Sequence, residues 1–86
     1  MHKLLLFRLI LNKVLKTITS LRPGDSGIIK SIADSEVTPK LLDMGCMPGE
    51  RVTMKYMAPM GGPVCVHLSG YDLILRIEEA SKIELN

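Results

Sequence analysis

Thr38-Pro39-Lys40-Leu41-Leu42-Asp43-Met44-Gly45-Cys46-Met47-Pro48-Gly49 is the stretch whose reading decides the fold. Threonine is a good helix cap, proline suits the first helical position, and glycine suits the left-handed residue just past a helix end. The spacing therefore predicts a two-turn helix capped by Thr38 and stopped at Gly45. Val37 just before that cap and Leu42 at the fourth helical position have the spacing of an apolar staple. Cys46-Met47-Pro48-Gly49 then reads as a turn leading into the strand-like run Val52-Thr53-Met54-Lys55-Tyr56. In that run Met54 shares its parity with Val52 and Tyr56, which places it inward.

Outward from the helix the chain alternates turns and short strands. Upstream, Leu21-Arg22-Pro23-Gly24-Asp25 has Pro and Gly where a type II turn favours them, and it feeds the strand candidate Gly27-Ile28-Ile29-Lys30-Ser31-Ile32. Met47-Pro48-Gly49-Glu50 repeats the device, so two similar turns each open a strand. Ala33-Asp34-Ser35-Glu36 is a polar connector. Downstream, the loop 57–63 must reverse the chain before Val64-Cys65-Val66-His67-Leu68, in which Val64, Val66 and Leu68 face one side and Cys65 and His67 the other. Leu73, Leu75 and Ile77 alternate in the same way, Glu78-Glu79-Ala80-Ser81 reads as a polar single turn, and Lys82-Ile83-Glu84-Leu85 reads as a closing strand. The fold class predicted is mainly β: a small, partly open barrel of about five strands with one short helix inserted.

At 86 residues the chain holds one domain, with too little core for a second lobe or a large buried active site. That core comes from Val, Ile, Leu and Met, because there is no Trp, one Phe and two Tyr. The net charge of +2 is unevenly spread. Residues 1–24 carry five Lys or Arg and no acid, whereas residues 25–86 carry six Lys or Arg against nine Asp or Glu, a balance of −3. The basic character thus belongs to the leader, and a mildly acidic body with few aromatics argues against a nucleic-acid surface. Cys46 and Cys65 form no Cys-x-x-Cys pair, which favours a reduced, cytosolic setting. No run approaches the roughly 20 apolar residues that span a bilayer.

The leader, residues 1–18, places Leu4, Leu6, Phe7, Ile10, Leu11, Val14, Leu15 and Ile18 on one half of a helical wheel, with Arg8, Asn12, Lys13 and Lys16 on the other. This is an N-terminal amphipathic basic helix. Three readings stand: contact with a membrane surface or a partner, packing on its own domain, or a secretion signal, the last opposed by Arg8 within the apolar run and the lack of a small-x-small cleavage site. Residues 1–20 are assigned to this extension and residues 21–86 to the barrel.

Three signatures in order carry a resemblance: Leu42-x-Met44-Gly45-Cys46-x-Pro48-Gly49, then Ala58-Pro59-Met60-Gly61-x-Pro63, then Gly70-Tyr71-x-Leu73-x-Leu75-Arg76. Together they resemble the FeoA family, small accessory proteins of bacterial ferrous iron uptake, over about residues 21–85. The resemblance implies an SH3-like barrel, a cytosolic location, and action with FeoB, a membrane iron transporter that carries a GTP-hydrolysing domain. The same module closes iron-dependent transcription regulators. This chain departs from the family at Gly62, where Asp is common, and in the length of its leader.

No catalytic constellation is present: Asp25, Glu50 and Asp72 sit beside turns where carboxylates cap amides, and no P-loop occurs. Cys65 and His67 share a strand face, with His2 and Asp72 as further possible ligands, but the reading preferred is an exposed face with a small thiol and a solvated imidazole. Cys46 reads as a core thiol rather than a nucleophile. The methionines near the helix exit and the Pro-Gly loop are more informative, since flexible thioethers suit adaptable contact surfaces. Leu41, Met47, Met57 and Met60 are the predicted partner-binding residues. With the partner that the resemblance implies, the expected function is that of a non-enzymatic module, without cofactor, catalytic or metal residues, that docks on the cytosolic GTPase-bearing part of a FeoB-type transporter. The alternatives are a detached regulatory domain of a transcription regulator and a small-barrel nucleic-acid binder.

Overall fold

The computed structural model describes residues 16–86. The expected helix over most of the leader lies outside them. The described chain begins with a bridge between Thr17 and Glu84 and a single 3-10 turn, Ile18–Ser20. Packing against the domain already starts here: Leu85 N–H donates to Lys16 O at 2.8 Å, and Ile18 is wholly buried. Residues 16–20, assigned above to the extension, are therefore built into the domain.

Five strands follow, β1 (Ser26–Ile32), β2 (Arg51–Met57), β3 (Val64–Leu68), β4 (Tyr71–Leu75) and β5 (Ile83–Leu85), with helix α1 (Thr38–Asp43) between β1 and β2 and the single turn α2 (Ile77–Ala80) between β4 and β5. They form one antiparallel sheet in the order β4-β3-β2-β1-β5. Its inner face, with Ile29, Val52, Met54, Val64, Val66, Leu68, Leu75, Ile83 and Leu85, packs with Ile18, Leu21, Leu41 and Ala80 into a single core.

The centre of this sheet is a near two-fold arrangement of the two Pro-Gly segments. In both, the acid's N–H or its equivalent closes the turn: Asp25 N–H donates to Arg22 O at 2.9 Å and Glu50 N–H to Met47 O at 3.1 Å. Gly24 and Gly49 have φ of +92° and +93°, as the third residue of a type II turn requires. Each turn is tied to the other's strand. Gly24 N–H donates to Met54 O at 2.7 Å and Met54 N–H to Asp25 O at 2.9 Å, while Gly49 N–H donates to Ile29 O at 2.8 Å and Ile29 N–H to Glu50 O at 2.9 Å. Between them β1 and β2 pair antiparallel about Gly27 and Val52. The likeness extends past the turns, since Lys30 and Lys55 occupy equivalent register shifts, between Ile29 and Ser31 and between Met54 and Tyr56.

These bulges correct the parity argument. An extra residue on one strand turns the following side chains over. Met54 is fully buried as expected, but Tyr56, beyond Lys55, lies on the outer face and is 53% exposed.

Helix α1 also differs from expectation at its start. Val37, not Thr38, is the flanking residue, and Thr38 begins the helix. The Thr38 hydroxyl is used by the connector instead, accepting from Ser35 N–H at 3.0 Å and donating to Ala33 O at 3.0 Å. The staple falls likewise on Val37 and Leu41, one turn apart on the core face, while Leu42 points away and stays exposed. The exit is as predicted. Gly45, at φ +95°, donates to Leu42 O and Cys46 N–H to Leu41 O, both at 3.0 Å, the double bond of a Schellman stop. The Tyr71 hydroxyl satisfies a further terminal carbonyl, that of Met44.

The surroundings of three of the left-handed glycines, those at the two Pro-Gly turns and the helix exit, differ. A Cβ at Gly24 or Gly49 meets nothing within 4 Å, whereas one at Gly45 would sit 2.8 Å from the Tyr71 hydroxyl. Gly24→Ala and Gly49→Ala should each destabilise by about 1–2 kcal/mol through backbone strain alone, and Gly45→Ala by more. Urea denaturation of the three variants checks the order.

Candidate docking surface

The predicted contact residues separate once the fold is in place. Met60 is fully exposed, at a left-handed φ of 60° on the loop between β2 and β3, and Met47 is 53% exposed on the second Pro-Gly turn. Met57 ends β2 opposite Val64 and is partly open. Leu41 is not on the surface. It faces the core and is completely buried, because a six-residue helix has one inward stripe and Leu41 lies on it with Val37. The exposed leucine of the pair is Leu42.

Sequence parity missed the outer apolar row. Tyr56, Cys65 and Ile74 are register neighbours across β2, β3 and β4. Tyr56 and Ile74 are each about half exposed, while Cys65 between them is buried. The expected exposed thiol is thus corrected: Cys65 shares the outer parity of His67 yet is buried, between two larger register neighbours. Tyr56 could not be found by alternation because the bulge lies between it and Met54.

Beside that row runs a polar one. Ser26, Thr53, His67 and Asp72 are successive register partners across four strands. The Ser26 and Thr53 hydroxyls are 2.7 Å apart, and His67 Nδ1 lies 2.7 Å from Asp72 Oδ1. The hydrogen bond from His67 holds the Asp72 carboxyl below its ordinary range. His67 is exposed as expected, but its imidazole is oriented by this carboxylate. Among the described residues no group of three or more His, Cys, Asp or Glu is placed to hold a metal ion.

Two groups behind the surface also carry electrostatic consequences. Cys46 is buried, and desolvation, with the nearby Glu79 carboxylate, pushes its thiol up to about 11. A thiol so rarely ionised is a packing group. Glu79, read from sequence as part of a polar turn, is nearly buried: it accepts from Lys40 Nζ at 2.7 Å and from Arg76 N–H at 2.8 Å. The Lys40 bond, then the Arg76 amide, hold its carboxyl low against the opposing effect of burial. This pair joins α1 to α2. An open depression of about 450 Å³ lies over it, lined also by Gly61, Pro63, Ile74 and Arg76. At Gly62 a Cβ would meet Ala58 Cβ at 2.8 Å and Pro59 O at 3.2 Å, so a side chain at this position would force the loop to shift.

The FeoA domain family matches residues 16–86. The chain belongs to the FeoA family. It is 33% identical over 69 residues to a fusion of Fe(2+) transport protein A with the Fe(2+) transporter FeoB from Porphyromonas gingivalis, a match that takes in 79% of this chain and 8% of that protein. The chain spans a small fraction of that curated relative's length. Among solved structures, an FeoA-like protein from Clostridium acetobutylicum superposes with a TM-score of 0.76 at 31% identity, covering 81% of this chain and 83% of that one. A zinc-complexed FeoA from Stenotrophomonas maltophilia, described as a prokaryotic SH3 domain protein, has a TM-score of 0.71 at 27% identity over 81% of this chain and 88% of that one. The fold is therefore SH3-like, as the resemblance implied. A manganese-dependent transcriptional repressor, at 20% identity and a TM-score of 0.77, shares the fold.

The Lys40–Glu79 bridge generates a stability prediction with a definite sign. Because the folded carboxyl of Glu79 titrates below its ordinary value near 4.5, its contribution is present above that pH and lost as pH falls through the folded value. Lys40 is more than half exposed, which discounts the pair, so Lys40→Met should cost about 1 kcal/mol at pH 7. Melting curves from pH 7 to 3 should show the difference from wild type shrinking on the acid side.

Proposed function

We propose that this FeoA-family chain is a non-enzymatic accessory protein of ferrous iron uptake that docks on the cytosolic, GTPase-bearing part of a FeoB-type transporter. The observation that carries this reading is the fusion relative, in which protein A and FeoB are one polypeptide. Fusion holds two modules at high effective concentration, which has value where the modules contact each other. A one-domain SH3-like fold without a catalytic constellation suits contact rather than chemistry.

The docking surface on this reading is Met47, Met57 and Met60, with Leu41 removed because it is buried. Thioethers on a turn and a loop present apolar area that adapts to a partner. Regulation would follow from differential affinity: binding one transporter state better than another shifts the balance by that difference. Docking on that part of the transporter would put the protein in the cytoplasm at the inner face of the membrane. The leader fits that location, since a basic amphipathic segment gains from anionic headgroups.

Pull-down with the transporter's cytosolic domain should fall about tenfold or more for Met60→Asp, a change that costs no core packing. Undiminished capture would remove Met60 from the surface, and failure of the wild type to bind would remove the docking reading itself. For the leader, liposome flotation should require anionic lipid and disappear on deleting residues 1–15, the truncation that leaves the packed residues from Lys16 onward intact.

A further inference from the structure

The edge strand β4 carries information that the docking reading does not use. It has β3 as its strand partner on one side, and among the described residues no turn or helix backbone hydrogen-bonds to Tyr71–Leu75, whereas the next residue, Arg76, already gives its N–H to Glu79 Oε1 and its carbonyl to Ala80 N–H. Soluble proteins guard or partner such an edge, because a row of free N–H and C=O groups templates strand addition. The side chains here are self-complementary. Asp72, Ile74 and Arg76 share the outer parity, the backbone staying extended through Arg76 at φ −68° and ψ 153°. Ile74 is 55% exposed and ends the apolar row Tyr56–Cys65–Ile74 at the strand edge.

We propose that β4 pairs antiparallel with β4 of a second copy of this chain about a two-fold axis at Ile74. That register sets Ile74 against Ile74, whose N–H and C=O make the backbone pair, and on both sides of it brings Asp72 of one copy to Arg76 of the other through their side chains alone, the Arg76 N–H and carbonyl being held by Glu79 and Ala80. The apolar row then continues across the junction through six strands, with an ion pair on each flank. Other two-fold registers lose this match: centring on Leu73 puts Ile74 against Asp72, and centring on Leu75 puts Ile74 against Arg76. Directly opposed side chains lie within about 5.5 Å at Cβ, where opposite charges stabilise and like charges oppose pairing. His67 Nδ1 holds the Asp72 carboxylate in place. The inner parity of the strand, Tyr71, Leu73 and Leu75, belongs to each copy's own interior side and is left undisturbed. The occupant of the edge is thus a second copy, since each element it presents finds its complement in itself.

Sedimentation velocity on the full chain over a concentration series tests this. One strand edge is a small interface, so a reversible dimer with a dissociation constant on the order of 10–100 µM is expected. Ile74→Lys, at an exposed position, should raise that constant by at least about tenfold. Asp72→Arg and Arg76→Asp should each weaken the dimer, and the double exchange should restore it, with circular dichroism melting confirming that every variant is folded. A monomer throughout the range, or a dimer indifferent to Ile74→Lys, overturns the proposal. Failure of the charge exchange to restore association overturns the register.

Discussion

The structure depends on the cross-pinning of two Pro-Gly turns. Each turn spends its backbone groups on the other turn's strand, so that β1 and β2 cannot pair in another register without unmaking four hydrogen bonds at once. Buried backbone groups must be satisfied, and this arrangement satisfies them with a proline that presets φ, a glycine that accepts positive φ, and a strand immediately following. The remaining strands are added outside this centre, β5 beside β1 and β3 then β4 beside β2. The matched bulges at Lys30 and Lys55 show that the correspondence between the halves includes their irregularities.

The helix that interrupts the strands is held by its exit more firmly than by its start. Six residues cannot support a helix by propensity, so tertiary contacts must do it. Leu41 and Val37 supply the core side, Gly45 and Cys46 close the last turn, and Tyr71 reaches a terminal carbonyl. The Lys40–Glu79 pair then binds the helix to α2 across the 450 Å³ depression. This explains why Cys46, with its raised thiol, reads as structure: it occupies the position where the helix stop, the core and the Glu79 carboxylate meet.

Function in this framework lies on the outside. The scaffold places Met47 and Met60 on connections and the apolar row Tyr56–Cys65–Ile74 across the strands, with Met57 at the end of β2 next to Tyr56.

By itself the sequence determined the class of fold, the helix exit, both type II turns and the family, because these rest on local chemistry: proline fixing φ, glycine accepting positive φ, and apolar residues alternating along a strand. It also placed Val64, Val66 and Leu68 correctly inward. Only the tertiary structure decided which leucine of the Leu41-Leu42 pair is buried, that Cys65 is buried, that Tyr56 turns outward and that Glu79 is an interior ion-pair partner. Each of these follows from a neighbour distant in sequence or from a bulge that reverses parity. One-residue shifts of that kind leave the local pattern unchanged while moving a side chain to the opposite face.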